Sequence, residues 1–270
     1  INKINIIDVV IKNSVTSIGD NALKGCTFLA SIIIPDSVTS IGKDAFFQCY
    51  SLKTVSIPNS VTTIGEYAFY QCSSLKTISI NNNITTIGKG VFQECYNLET
   101  ATIGNSLTAI SEDAFYFCYS LKNVTINNNV MTNINDYAFQ ECMSLKTFNI
   151  PDSVTSIGTW VFYYCIELRS VTIGNSMTTI NDGLFYYCLK LDTVIIPDNI
   201  TAINVDAFGY CNKLTTINIP NSVTSIGDNI FENSGLTSVT LTNENNGLNI
   251  KQNMLDENGE YDFGGKKIKV

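Results

Sequence analysis

The chain has 270 residues, carries 16 Lys and Arg against 24 Asp and Glu for a formal net charge of −8, and contains no histidine. The acidic balance disfavours nucleic acids and anionic membrane surfaces as partners, because both require a basic protein surface. The lack of histidine removes the most frequent general base, the most frequent metal ligand and every His-dependent catalytic triad.

The sequence also argues against a membrane-spanning segment. No apolar run approaches the roughly 18–20 residues that a span requires, so we expect no direct membrane insertion by this chain. It has no initiator methionine and no signal-peptide pattern, which is typical of a fragment or a processed chain.

Most of the chain repeats one stretch, Asp36–Ile57, with a period of 23 residues. Its apolar positions recur in place, so that Phe46 and Cys49 return as Phe69 and Cys72. A fixed period of this length is typical of a solenoid, in which each repeat forms one coil and stacked coils share a core. We predict a solenoid of about eleven coils over residues 1–241 and a capping segment over residues 242–270, where the chain becomes polar and charged.

Each coil contains a Leu-x-x-Val-x-Ile segment in which apolar and polar residues alternate, as in Thr54-Val55-Ser56-Ile57. Alternation with β-branched residues predicts a strand with one buried face. Equivalent strands in neighbouring coils must pair in parallel, about 4.8 Å apart. The repeat therefore predicts one continuous parallel sheet.

The rest of each coil predicts three further pieces. A turn rich in Pro, Asn, Asp or Gly is followed by a short extended Val-Thr-x-Ile piece, such as Val38–Ile41. A Gly or Asn then follows in most coils, for example Gly42, and we expect a left-handed backbone there. The last piece, x-x-Ala-Phe-x-x-Cys, predicts a short helical turn. A helix dipole favours the acidic residues at the start of this turn. The Phe residues of successive coils should stack as a spine.

The nine cysteines occur once per coil, at spacings of 23 with a single 24. A secreted disulfide framework usually has an even number of cysteines, and a zinc site needs paired Cys-x-x-Cys clusters. We therefore predict a buried column of reduced thiols. Pairing between adjacent coils stays open, since their Cα atoms should lie within disulfide range.

Two irregularities interrupt the period. One extra residue lies in the 127–133 region, at a predicted turn where an insertion costs little. In the last coil, Ser234 stands where the other coils have cysteine, and one residue is missing before Leu236.

The pattern I-P-x-S-V-T-x-I-G-x-x-A-F-x-x-C-x-x-L-x-x-V-x-I closely resembles the BspA-like class of leucine-rich repeats, and the resemblance covers about residues 6–241. It implies an α/β solenoid wound as a right-handed superhelix, with a parallel concave β-sheet, short convex strands and short helical turns. It also implies display on a cell surface or outside the cell, and attachment to host proteins or other cells. The family has no catalytic motif or cofactor to transfer, so we expect no enzyme activity.

The residues that flank the buried Val of each strand should point outwards and line the concave face. They form two columns of mostly hydroxyl and amide side chains, a surface suited to hydrogen bonding with a protein partner. Such ladders also suit strand surfaces that bind nothing. The candidate partner-binding residues are Thr54, Ser56, Thr77, Ser79, Thr100, Thr102, Thr125, Thr147, Asn149 and Thr172.

A basic column runs beside these, broken by Glu99 and Asp192. In an acidic protein this local reversal of sign could steer an acidic partner, although charged residues at a sheet margin also prevent aggregation. The candidates are Lys53, Lys76, Lys122, Lys146 and Arg169.

Aromatic residues crowd around the cysteines and should lie at least partly on the rim. Tyr is favoured at interfaces because it offers contact area and a hydroxyl at low entropic cost. The competing interpretation is that the rings lie flat over neighbouring coils as extra packing. The candidate rim residues are Tyr70, Tyr96, Tyr119, Tyr164 and Tyr187, and Trp160 stands apart because other coils have polar residues or Tyr at its position.

Together these patterns favour a non-catalytic module that binds a protein or cell-surface ligand through its concave face and aromatic rim. A structural spacer that holds another domain off a cell surface is the principal alternative. An ice-binding or crystal-binding solenoid is suggested by pairs such as Thr100-Ala101-Thr102, but such surfaces must be regular, and Asn123, Asn149 and Ile195 interrupt this one.

Overall fold

The computed structural model describes residues 6–126, 129–241, 261–262 and 267–268. Within them the chain winds through stacked coils that present two sets of parallel strands, and they contain no helix. The solenoid and the parallel pairing of its strands are as predicted, but the predicted continuous sheet is divided into shorter sheets. Most of the predicted capping segment lies outside the described residues, and in its described part Tyr261–Asp262 pairs antiparallel with Lys267–Ile268.

The Leu-x-x-Val-x-Ile segments form ten strands, which we call the concave strands. Neighbours pair in parallel with a fixed register, so that Thr77 lies beside Thr100 and Ile78 beside Ala101. The first coil contributes only a bridge from Val10 to Ile33. The concave strands are Ser31–Ile33, Thr54–Ser56, Thr77–Ile80, Thr100–Ile103, Asn123–Ile126, Thr147–Asn149, Ser170–Thr172, Thr193–Ile195, Thr216–Ile219 and Ser238–Leu241.

The Val-Thr-x-Ile pieces supply ten two-residue strands, which we call the convex strands. Each buries its Ile and exposes or half-exposes the preceding residue, as Thr63 and Ile64 do. The convex strands are Ser17–Ile18, Ser40–Ile41, Thr63–Ile64, Thr86–Ile87, Ala109–Ile110, Asn133–Ile134, Ser156–Ile157, Thr179–Ile180, Ala202–Ile203 and Ser225–Ile226.

Neither ladder of strands is continuous. The concave ladder is interrupted after Ser56, Ile126 and Ile195, and the convex ladder is interrupted after Ile87 and Ile157. These interruptions fall at different coil junctions. Each junction between successive coils from the second coil onward therefore keeps at least one regular strand pairing.

A spine of nine phenylalanine rings, from Phe46 to Phe231, runs through the core. Successive rings are stacked with centroids 4.9–5.8 Å apart, and each ring is fully buried. One coil is too thin to enclose a ring, so each ring depends on the coils above and below it for burial. The predicted spine is confirmed.

The nine cysteines are all free and fully buried. From Cys49 to Cys211 each thiol donates a hydrogen bond of 3.2–3.3 Å to a backbone carbonyl of the preceding coil, usually that of its Phe; Cys95 to Phe69 is one example. Burial raises the pKa of the seven thiols from Cys72 to Cys211, so they stay protonated and unreactive. The predicted column of reduced thiols is confirmed, and Ser234, at the equivalent position in the last coil, is buried as well.

The x-x-Ala-Phe-x-x-Cys segments, which we call the turn flank, contain no helix, so the predicted helical turns are not confirmed. Instead, alternate backbone amides donate to carbonyls of the next coil; Asp44 donates to Glu66 and Phe46 to Ala68, at 2.9 and 2.7 Å. This leaves the acidic residues without a helix dipole. Asp44 instead occupies a left-handed position at φ 54°, which Asp tolerates better than most residues.

The prediction of a left-handed backbone at Gly42 and its equivalents was wrong. The positive φ angles lie two and six residues further on, for example at Asp44 and Gln48. Gly42 is needed for a different reason: a Cβ there would lie 2.7 Å from the backbone nitrogen of Asp20 in the preceding coil. A glycine at this position therefore lets coils approach closely.

We predict that Gly88→Ala will destabilise the chain. A Cβ at Gly88 would lie 2.2 Å from the Glu66 backbone nitrogen, so the two coils must separate locally, at a cost of about 1–3 kcal/mol in the free energy of unfolding. Gly19→Ala is the matched control, because no atom lies within 4 Å of its added Cβ. Chemical denaturation of both variants checks this, and equal midpoints would contradict the close-approach explanation.

The buried thiols predict a clear labelling result. Iodoacetamide at pH 8 should modify none of the nine cysteines in the folded chain and all of them after denaturation, because only a solvent-accessible thiolate reacts. Mass spectrometry of the intact chain gives the count. Modification of several thiols before unfolding would show that the column is not sealed.

Candidate binding surface

All ten predicted concave-face residues lie on concave strands, with their side chains on the outer face. Nine of them are exposed and Thr100 is half-buried. The fixed register puts equivalent side chains beside one another, as with Thr147 and Ser170. The structure therefore brings these hydroxyl and amide groups together on one surface.

A polar groove crosses this surface where three concave strands meet. It contains four of the predicted residues, and three asparagines border it. One of these, Asn81, has its amide bound to the carbonyls of Pro58 and Val61, at 2.7 and 3.3 Å, so it is held in place. The groove is lined chiefly by Ser56, Thr77, Ser79 and Thr102, with Asn59, Asn81 and Asn82.

The N-terminal end of the concave face is apolar instead of polar. Val10 and Ile33 lie side by side and are 83% and 84% exposed, and Ile7 is 73% exposed. Val10 and Ile33 occupy outward positions of one of the two polar columns, but they are not among the candidates that the sequence predicts. Large exposed apolar groups of this kind often mark contact sites.

The predicted basic column is partly neutralised. Glu99 accepts from Lys76 at 3.2 Å and from Lys122 at 2.7 Å, and the hydrogen bonds from Lys122 and Lys76 lower the pKa of the Glu99 carboxyl. Among the described residues Lys53, Lys146 and Arg169 take part in no ion pair, and all three are exposed. The positive charge is therefore concentrated at Lys146 and Arg169, which lie in adjacent coils.

In the N-terminal half of the turn flank, the predicted rim residues make hydrogen bonds and ring contacts with other residues of the chain. The Glu94 carboxylate accepts hydrogen bonds from Tyr70 at 2.6 Å, from Gln71 at 2.7 Å and from Tyr96. Burial disfavours the charged carboxylate, but these three donors outweigh it and lower the pKa of Glu94. Tyr96 also stacks on Tyr119 with ring centroids 5.3 Å apart.

In the C-terminal half, Tyr164 and Tyr187 belong to one group of six rings, which we call the aromatic cluster. Its members are half-buried and contact one another across three coils. Sequence reasoning named only these two as rim candidates and treated Trp160 separately. Tyr163, Tyr186 and Tyr210 also follow the 23-residue period, and this spacing was the signal by which the sequence could have indicated them. The cluster consists of Trp160, Tyr163, Tyr164, Tyr186, Tyr187 and Tyr210.

The described residues contain neither a candidate metal site nor a membrane-spanning helix. No group of three or more His, Cys, Asp or Glu side chains in this part of the chain could hold a metal ion. Over the same residues, no helix is long and apolar enough to cross a membrane.

Comparison with protein families gives one decisive result. The BspA type leucine rich repeat region matches residues 1–122 and 132–258, in 6 copies. The chain belongs to the BspA-type leucine-rich repeat family. Leucine-rich repeats of this type generally serve as protein-interaction or surface repeats and are typically non-catalytic.

Several solved structures resemble this BspA-type chain. A leucine-rich repeat protein from Bacteroides ovatus is 26% identical, with 85% of this chain and 77% of that chain covered and a TM-score of 0.55. A leucine rich cell surface protein from Faecalibacterium prausnitzii is 28% identical over 85% and 84% of the two chains, with a TM-score of 0.45. A leucine-rich repeat protein from Eubacterium ventriosum is 23% identical over 96% and 88%, with a TM-score of 0.49. No curated protein matches the chain significantly.

The Glu94 network of the BspA-type chain predicts a pH-dependent stability. Because the folded pKa of Glu94 lies below its ordinary value, the ionised group stabilises the fold above the unfolded pKa, near 4.5, and this contribution is lost as the pH falls through the folded pKa. Glu94→Gln should cost about 2 kcal/mol at pH 7, as hydrogen bonds to a charged acceptor do, and less at pH 3.

Thermal denaturation of both proteins between pH 7 and pH 3 measures this difference. Glu66→Gln is the control, because its ion pair with Lys43 lies on the surface and should contribute little. A loss in Glu94→Gln that does not change with pH would show that the carboxylate charge is not what stabilises the network.

Proposed function

We propose that this chain is a non-catalytic binding module of a surface protein, which attaches to host or cell-surface proteins. Residues 1–241 supply the binding surface, and the 242–270 segment covers the C-terminal end of the solenoid. The observation that carries the proposal is the row of outward hydroxyl and amide groups, aligned in register along the concave strands. The aromatic rim adds contact area beside it.

Rigidity favours binding by this surface. The concave strands are held from behind by buried Val, Ile, Leu and Phe side chains, so the polar groups are already in place before a partner arrives. Binding then orders few backbone groups, which lowers its entropic cost. Many weak polar contacts on a fixed frame can therefore add up to a specific interaction.

The chemistry of the surface favours a protein partner. Uncharged Ser, Thr and Asn side chains can donate to and accept from a polypeptide or its side chains, and the apolar group at Val10 and Ile33 offers an anchor at one end. The net charge of −8 opposes nucleic-acid partners. Lys146 and Arg169 would meet an acidic residue of the partner.

The alternative is a spacer that only holds a further domain away from the cell surface. The Glu94 network favours it locally, because Tyr70 and Tyr96 direct their hydroxyls to a residue of their own chain. Among the described residues, the ten candidate hydroxyl and amide side chains of the concave face do not share this feature. Binding measurements on variants of that face separate the two functions.

Replacing Thr77, Thr100 and Thr125 together with Lys should abolish binding without changing the melting temperature. Three long charged side chains would cover the polar groove and its neighbours, yet all three positions lie on the outer face of the sheet. The wild-type chain, immobilised through its C-terminus, should retain extracellular proteins from a host-cell surface extract. Each retained protein is then purified and its dissociation constant measured directly.

A variant with Thr62, Thr85 and Thr108 replaced by Lys is the matched control. These threonines are exposed and lie in three successive coils, on the side of the convex strands. It should bind as the wild type does. Equal binding by both variants would reject the concave site, and no direct binding by the wild type would favour the spacer.

A further inference from the structure

The aromatic cluster is a compact patch of rings on the turn flank. Tyr187 and Tyr210 are stacked with centroids 4.2 Å apart, and Tyr164 lies 5.4 Å from Tyr187. Trp160 makes edge-to-face contacts with Tyr163 at 5.6 Å and Tyr186 at 5.4 Å. All six rings are half-buried, so each keeps part of its surface available to solvent.

Two glycines fix the position of these rings. A Cβ at Gly183 would lie 2.2 Å from the ring of Trp160, and a Cβ at Gly209 would lie 2.5 Å from the ring of Tyr186. In both cases the ring of one coil rests on the bare backbone of the next coil. The cluster is therefore held in one arrangement instead of being a set of free surface side chains.

The charge around the rings differs between the two halves of the turn flank. In the N-terminal half carboxylates pair with lysines of the preceding coil: Asp44 with Lys24 and Glu66 with Lys43, both at 2.8 Å, and similarly for Glu112. The four C-terminal segments 158–166, 181–189, 204–212 and 227–234 contain no Lys or Arg. They carry four carboxylates, those of Asp182, Asp206, Asp228 and Glu232.

These carboxylates act on one another and on the rings. Burial, followed by the charges of Glu232, Asp182 and Asp228, raises the pKa of Asp206. Burial and the charge of Glu232 raise the pKa of Tyr186 to about 12, so its hydroxyl stays neutral. Among the described residues Asp182, Asp206 and Glu232 take part in no ion pair. The patch thus combines aromatic faces with the negative charge of these three carboxylates.

We propose that the aromatic cluster binds an arginine-containing cationic segment of a partner protein. A guanidinium group stacks on Tyr and Trp faces and pairs with carboxylates at its edge, so both features of the patch select it. Tyr, Trp and Arg are also the residues that dominate binding energy at protein interfaces. The inference rests on the proposed function in treating the rim as a binding surface, but it does not depend on the concave face.

Trp160 makes the test specific, because it is the only tryptophan of the chain and lies in the cluster. A short peptide of alternating arginine and glycine, titrated into the full chain at low salt, should change the Trp160 fluorescence and saturate. Combining Asp206→Asn with Glu232→Gln should weaken this affinity at least tenfold. Asn suits the positive φ of 58° at position 206, so the fold should be unaffected.

A second variant, Tyr187→Asn, removes one stacked ring. Position 187 has a φ of 61°, and Asn233 occupies the equivalent position at φ 48° in the last coil, so Asn is compatible with this backbone. Peptide affinity should fall at least fivefold in this variant. Melting temperatures of all variants identify any that fail to fold.

Three controls decide the interpretation. Asp44→Asn with Glu66→Gln removes ion-paired carboxylates from the other half and should leave peptide binding unchanged. The triple Lys variant of the concave face should also keep it, which separates this inference from the proposed concave site. A peptide of alternating glutamate and glycine should not bind.

Unchanged arginine-peptide affinity in both cluster variants, or no saturable change in the wild type, would overturn the inference. The same holds if the neutral oligosaccharide cellohexaose changes the Trp160 fluorescence while the arginine peptide does not. Affinity should also fall as salt is raised, since charge attraction is screened. Salt-independent binding of the peptide would contradict a role for the carboxylates.

Discussion

The spacing between coils is the constraint on which this structure depends. Backbone pairing holds successive coils at a fixed separation, and a stacked phenyl ring fits that separation, as the 4.9 Å between Phe46 and Phe69 illustrates. Every coil must then place its buried side chains directly above the equivalent side chains of the preceding coil. Val, Leu, Phe and Cys repeat for this reason, and glycine is needed where two backbones come closest.

Outward positions are free of this constraint, and the proposed function depends on them. The concave columns vary from Thr to Ser, Asn and Ile without disturbing the core. The first half of the turn flank contains lysine–carboxylate pairs, whereas the second half contains the aromatic cluster and carboxylates such as Asp206 and Glu232, which form no ion pair among the described residues. One scaffold therefore presents several chemically different surfaces along its length.

The sequence predicted whatever depends on repetition: both sets of strands, the Phe spine, the cysteine column and the outward concave residues. The sequence prediction put the left-handed backbone at the wrong residues, because glycine is required both where φ is positive and where two backbones approach closely. Gly42 is required for close approach. Tyr67 and Trp160 adopt positive φ, which aromatic residues disfavour, because their backbone amides donate hydrogen bonds to the next coil. The 23-residue spacing placed the aromatic residues of the cluster in register, but it did not show which rings touch.

The staggered interruptions of the two strand ladders bear on mechanical load. The proposed attachment to a cell surface would expose the chain to pulling along its length, and a junction without regular pairing would open first. Since every junction from the second coil onward keeps one ladder, the solenoid has no such weak plane there. Under tension it should yield coil by coil from an end, and each released coil would lengthen the tether by roughly 75–80 Å, the extended length of one repeat.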